Sequence, residues 1–231
     1  MRGYTNSSEI RTYAAFVLIL LPTAALCYKE QLAMGTIGSF ALMIILFTML
    51  LGSIAEIPLF RTRTKKLEQL FRYAPILEDI YSVPVVKELN IGKDRVFDTT
   101  VTANLGGAII PALAVIYLLL TQPNNTALEI MLIVVVAVSL LCEMMGGIGL
   151  IVPDYIGLIA LPFSLIVSPE NAASVTFIAG VGGILTGNII SVLTFNKERT
   201  GSAFISIGGA GSFKAIYLTT IIASLLSYFV Q

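Results

Sequence analysis

The 231-residue chain contains no histidine and no tryptophan. Without histidine there is no imidazole general base and no imidazole metal ligand. Serine–histidine proteolysis of the rhomboid kind is therefore excluded. Without tryptophan, an interfacial aromatic belt has to come from Tyr and Phe. Charge is scarce too: 12% of residues are charged, about half the ~25% of an ordinary soluble domain. Two cysteines, Cys27 and Cys142, lack a CxxC arrangement. They read as small apolar packing residues rather than a disulfide. No metal site, cofactor or nucleic-acid partner is expected.

Apolar sequence is abundant. The chain is 56% hydrophobic, with a mean hydropathy of +0.90, which places it among membrane proteins. Seven apolar segments occupy residues 12–28, 33–60, 100–121, 127–145, 155–167, 172–195 and about 212–230. The expected fold is an all-α polytopic membrane protein of about seven transmembrane helices, forming a single membrane domain over 1–231. Glycine-rich broken or re-entrant elements interrupt it. The first segment has no A-x-A-like cleavage site after it and reads as a helix rather than a signal peptide. With the N-terminus in the cytoplasm, twelve Lys/Arg fall inside and only Lys29 outside. The positive-inside rule then puts the C-terminus outside a cell membrane after seven crossings.

Half of the charged residues, 14 of 28, lie in the polar stretch 61–98. This is read as a cytoplasmic insertion between the second and third helices. Leu67, Leu70 and Phe71 suggest a short amphipathic helix over 62–73. Residues 81–89 and 95–101, separated by Asn90–Asp94 with Gly92 as turn residue, suggest a hairpin. Such an insertion sets topology, docks a partner or touches lipid headgroups.

The glycine pairs mark the breaks. Gly106-Gly107, Gly146-Gly147, Gly182-Gly183 and Gly208-Gly209 sit in or beside apolar runs. Residues 155–167 give only ~20 Å of helix, well short of a ~30 Å hydrocarbon core. The preceding Gly146–Pro153 suits a helix badly, so this crossing is expected to be unwound at one end. The run Ser206-Ile-Gly-Gly-Ala-Gly-Ser-Phe-Lys214 reads as broken backbone opening into the last helix. Gly182-Gly183 instead suits close helix packing.

Four passages together resemble a known family: Ala55-Glu-Ile-Pro-Leu59, Thr102-Ala-Asn-Leu-Gly-Gly-Ala-Ile-Ile-Pro111, Gly180-Val-Gly-Gly-Ile-Leu-Thr-Gly-Asn188, and Ser206–Phe213 followed by Ile216-Tyr-Leu-Thr219. The chain from the second helix onward resembles the DUF1614 family of prokaryotic multi-pass membrane proteins. The resemblance implies a fold and a bacterial or archaeal cell membrane, not a reaction. It also implies an amide at position 56, an acid at 214 and an acid near 188. Glu56, Lys214 and Asn188 depart from that pattern.

Polar residues inside apolar segments are costly and therefore point to sites. The candidates are Glu56, Asn104, Asp154, Asn188, Gly208, Gly209, Gly211 and Lys214, all counted into the cytoplasmic half. Lys214 at a helix N-terminus is repelled by the helix dipole unless an anion answers it. The Gly208–Gly211 backbone is a candidate nest for that anion, an anionic solute or lipid headgroup. A snorkelling lysine is the plain alternative. Asn104 and Asn188 also read as interhelical hydrogen-bonding residues, and Asp154 as a helix N-cap after Pro153.

Three functions stay open. The first is a small-solute or ion transporter or channel-like protein, for which a chain this short implies a homodimer. The second is a non-enzymatic scaffold or accessory subunit. The third is an intramembrane aspartyl-type hydrolase using Asp98 and Asp154, although neither lies in a GxGD context.

Overall fold

The computed structural model describes residues 7–65, 96–145, 149–196, 201–202 and 204–230. Within these lie seven α-helices and a small three-stranded sheet. Helix α1 (Ser7–Tyr28) and α2 (Ser39–Gly52) lead into β1 (Glu56–Lys65). Strand β2 (Val96–Asn104) then passes through one π-helical turn, Leu105–Ile109, into α3 (Ile110–Thr121). Helix α4 (Asn125–Leu141) precedes a short hairpin, β3 (Glu143–Met145) and β4 (Gly149–Ile151). A 3-10 turn, Ile156–Ile159, opens α5 (Ala160–Val167), and a second, Pro169–Asn171, opens α6 (Ala172–Thr194). Strand β5 (Phe204–Ile207) and α7 (Phe213–Val230) complete the chain.

The seven helices match the seven apolar segments, but their ends do not. Residues 56–60 and 100–104 were expected to be helical, and they are strand. Pro58 explains the first case, because it removes a backbone donor and clashes with a preceding helical turn. Thr99, Thr100 and Thr102 explain the second, since β-branched residues favour extended backbone. Residues 96–101, the second arm of the expected hairpin, are strand: β2 pairs antiparallel with β1, Glu56 opposite Asn104 and Lys65 opposite Val96. The amphipathic helix expected over 62–73 is strand at 62–65, where β1 continues; its remainder and the first arm of the hairpin, residues 81–89, lie outside the described residues. So does Gly146-Gly147.

Strand β2 is central. It pairs antiparallel with β1 and parallel with β5, Thr102 opposite Ser206. Its Val101 and Ala103 are buried on one side, and Thr102 and Asn104 on the other. The backbone breaks fall where the sheet meets helices. α2 ends just before β1, β2 runs into α3, and β5 turns into α7.

Helix α6 is the axis of the bundle, its first two-thirds almost wholly buried. Glycines let it pack closely. A Cβ on Gly183 would lie 2.6 Å from Val134, and one on Gly187 2.5 Å from Val138, both on α4. A Cβ on Gly180 would lie 2.6 Å from Thr219 on α7. Contact of this kind, rather than release of water, holds helices together in lipid. Phe16, Phe213 and Tyr217 form an aromatic cluster joining α1 to α7, with Phe16 edge-on to Tyr217 at 4.9 Å.

Three helices, over Arg11–Tyr28, Pro169–Thr194 and Phe213–Val230, are long and apolar enough to cross a membrane. The other apolar helical stretches, Ser39–Gly52, Leu105–Thr121, Asn125–Leu141 and Ile156–Val167, are shorter. Large side chains point outward from nearly every helix, among them Leu18, Phe47, Leu120, Leu140, Ile166, Leu193 and Phe229. An exterior this apolar fits a lipid solvent.

Candidate functional site

The sheet end nearest the helices gathers the polar residues. Glu56 is the first residue of β1, not the inner end of a helix. The turn before it is tied down, with Ala55 N donating to Gly52 O and Leu105 N to Ala55 O. Across the ladder stands Asn104, and two residues along β2 on the same face stands Thr102. Ser206 faces Thr102 from β5. A strand period of two puts these side chains together.

The Glu56 carboxylate accepts from all three. Thr102 Oγ1 donates to Oε2 at 2.7 Å, and Asn104 Nδ2 donates to Oε1 at 3.0 Å. Ser206 Oγ lies 2.9 Å from Oε1 and 2.7 Å from Oε2, so its single proton is shared between the two oxygens. Glu56 itself is partly exposed. No ion pair involving it is present among the described residues.

Asn104 was expected one to two turns into a helix. It is instead the strand's last residue and the cap of the π-turn, with Oδ1 accepting from Gly107 N at 2.8 Å. Its Nδ2 also donates to Ser53 O at 2.6 Å. Fully buried, it joins the end of α2, the carboxylate and the start of α3.

Glycines close the site by contact of backbone on backbone. A Cβ on Gly107 would sit 2.0 Å from Gly208 O. One on Gly211 would sit 1.9 Å from Leu150 O. One on Gly209 would sit 1.9 Å from Ser206 Oγ and 2.8 Å from Glu56 Oε1. Gly208 has φ +72°, a left-handed conformation that glycine adopts readily. Gly209 O accepts from Ser212 N and Phe213 N, starting α7. The glycine run is thus a chain break before a helix, as read from the sequence, and the charged group lying on it is a carboxylate.

The other candidates lie apart. Lys214 is partly buried in the first turn of α7 and makes no ion pair among the described residues, so no Glu56–Lys214 bridge forms. Asp154 is exposed in a turn and does not cap: the residue before the 3-10 turn is Tyr155, and no side chain caps it. Asp98 is exposed on β2, opposite Arg63. Asn188 is fully buried in α6, yet neither of its amide atoms has a hydrogen-bond partner. That corrects the expectation that it links helices.

Thr102 and Ser206 were not among the residues singled out, although both stand inside the quoted passages. Their signal is spacing: Thr102 and Asn104, two apart, share a face only if the segment is a strand.

The family described as "Protein of unknown function (DUF1614)" matches residues 50–226. The chain belongs to this family. The matched region of this DUF1614 protein contains the whole Glu56 site and all the strands of the three-stranded sheet. No curated protein and no solved structure matches the chain.

Proposed function

We propose that this DUF1614 protein is a small ion-conducting or ion-coupled carrier of the cell membrane, with Glu56 as the carboxylate that binds a proton or small cation. One observation carries the reading: a carboxylate held by three neutral donors, and by no cation among the described residues, where three chain breaks meet. Secondary transporters build sites from such interrupted elements. The donors are neutral, so a charge on the carboxylate is left for a ligand to answer. An anionic ligand on the Gly208–Gly211 backbone fits less well, because it would meet that carboxylate.

The strands also account for the short helices. Helix α2, at 14 residues, rises only ~21 Å. Adding the five residues of Glu56–Phe60 at ~3.3 Å each completes a bilayer crossing. An extended path puts Glu56 up to ~16 Å from Arg61, deeper than the ~7 Å of a helical path. The orientation proposed, N-terminus inside and C-terminus outside, rests on the Lys/Arg asymmetry.

Purified protein in liposomes, under imposed pH, Na⁺ and K⁺ gradients, tests this. Wild type carries one of these ions above the level of empty vesicles, and Glu56→Gln lowers the flux by ~10-fold or more. Absence of flux for every ion would sink the reading. A second reading would then stand, an accessory subunit. It draws on β1, whose Ile57, Leu59 and Phe60 are exposed and which is an edge strand among the described residues, a position suited to strand addition.

A further inference from the structure

The donors around Glu56 decide which ion it can take. Asn104 is the fixed one. Its Oδ1 accepts from Gly107 N at 2.8 Å and its Nδ2 donates to Ser53 O at 2.6 Å, so two backbone groups set the way the amide faces. Turning it over would set N–H against N–H and oxygen against oxygen. Nδ2 is therefore held toward Oε1 of Glu56, and an N–H group that attracts a carboxylate repels a metal ion. Gly209 backs onto the same oxygen, since a Cβ there would lie 2.8 Å from it.

Metal cations need oxygens with lone pairs turned toward them. Ca²⁺ and Mg²⁺ gather about six or more, and transporter Na⁺ sites draw on the bared carbonyls of broken helices. Here the carbonyls at the breaks already accept N–H groups: Ser53 O from Asn104, Ala55 O from Leu105 N, Gly209 O from the first N–H groups of α7, and Gly211 O from Val152 N. That leaves Oε2 and the hydroxyls of Thr102 and Ser206. A proton needs less. Ser206 Oγ reaches both carboxylate oxygens, Oε1 at 2.9 Å and Oε2 at 2.7 Å, and a hydroxyl both donates and accepts. With a proton on Oε2, that O–H donates to Ser206 Oγ, and the serine O–H donates to Oε1. Thr102 and Asn104 stay where they are. Among the described residues no other titratable side chain bonds to the carboxylate. Tyr13 on α1 is bonded to Ser53 Oγ, and Tyr217 on α7 to Leu46 O. Asp98 and Arg63 stand opposite each other further along the ladder, and Lys214 makes no ion pair among the described residues.

We infer that Glu56 takes a proton and excludes Na⁺, K⁺ and divalent metal ions, with the fixed N–H of Asn104 excluding them and Ser206 partnering the proton. This rests on Glu56 being the ion site of the proposed carrier, and it names the ion.

Full-length protein in nanodiscs is acidified stepwise and followed by infrared difference spectroscopy. A protonated-carboxyl band is expected in wild type and not in Glu56→Gln. The pH at which it half-appears is expected to be the same in choline, sodium and potassium chloride. A metal ion competing at ten times its Kd would lower that pH by ~1 unit. If Glu56→Gln does not fold, Ser206→Ala identifies the band by shifting it to higher frequency, through the lost hydrogen bond. Asn104→Asp sets an oxygen where the N–H stood, and folded protein of this kind becomes sodium-sensitive; the wild-type titration decides the matter whether or not this variant folds. In liposomes, an internal pH dye reports proton entry with choline as the sole other cation. Absence of a Glu56 band, lowering of its half-point by Na⁺ or K⁺, or Glu56-dependent uptake of either ion overturns the proton assignment, and uptake of a metal ion leaves the carrier reading standing. A sodium-insensitive Glu56 band without proton entry upholds the assignment and ends the carrier reading.

Discussion

Glu56, when ionised, accepts hydrogen bonds and donates none, so its neighbours must supply protons. Thr102 and Ser206 do so through hydroxyls, which also accept when rotated. The site therefore tolerates loss of charge better than loss of the side chain. In Glu56→Gln the new amide N–H finds a hydroxyl oxygen, and stability is expected to stay within ~1 kcal/mol of wild type. Glu56→Ala strands two buried hydroxyls, each costing ~1–3 kcal/mol. Thermal unfolding in detergent should rank wild type and Glu56→Gln together and Glu56→Ala below them. Equal loss in both variants would mean that the charge itself is structural. Asn104 is less forgiving, because it holds Ser53 O and Gly107 N as well as the carboxylate. Asn104→Ala is expected to cost ~2–4 kcal/mol, a lost cap plus a stranded carbonyl, and to lower the unfolding temperature more than Glu56→Ala.

At the scale of elements, the glycines decide how close the broken segments come. Gly107 and Gly208 touch backbone to backbone, as do Gly211 and Leu150. A methyl group there has no flexible side chain to displace. Gly107→Ala and Gly211→Ala are expected to cost ~3 kcal/mol or more, at the upper end of overpacking effects, and to be recovered in low yield by size-exclusion chromatography. Gly38→Ala is the control. Nothing lies within 4 Å of its added Cβ, and a change within ~1 kcal/mol is expected at this helix start. If Gly107→Ala behaves like Gly38→Ala, the close approach is not what joins these segments. The break before α7 was legible because three of the four residues Gly208–Gly211 are glycine, each costing a helix ~1 kcal/mol, whereas the glycines of α6 are spaced apart and stay helical. The strands were not legible, and for a physical reason. Alternation of apolar and polar residues reveals a strand only when one face meets water. In β1, Ile57, Leu59 and Phe60 are apolar on both faces, like a helix in lipid. Only Pro58 and the threonines of β2 argued otherwise. Reading 100–104 as helix hid the shared face of Thr102 and Asn104, and with it most of the Glu56 site. Asn188 was legible as a polar residue in an apolar helix. Its lack of a partner is a three-dimensional property that spacing does not encode.

For the whole molecule, the question is how the seven described helices, three of them long enough to cross a membrane, would sit in one bilayer. The strands supply an answer. The paths α2–β1 and β2–α3 each join a short helix to extended backbone, and the three-stranded ladder satisfies much of the peptide hydrogen bonding that lipid would leave unmet. On this proposal the exposed Ile57, Leu59 and Phe60 side chains face lipid, while Arg61 and Arg63, further along β1, face water. If both paths cross, Arg63 near the end of β1 and Asn125 at the start of α4 fall on opposite sides. Both are exposed, so each is suited to a cysteine reporter in a chain lacking Cys27 and Cys142. Applied to intact cells, an impermeant maleimide should label Asn125→Cys and leave Arg63→Cys untouched until the membrane is opened. In the orientation proposed from the Lys/Arg asymmetry, Arg63 is the cytoplasmic residue. Labelling of both without permeabilisation would mean that β2–α3 does not cross and that Glu56 sits at a surface. Labelling of Arg63→Cys alone would invert the orientation, and the Glu56 site would open to the outside.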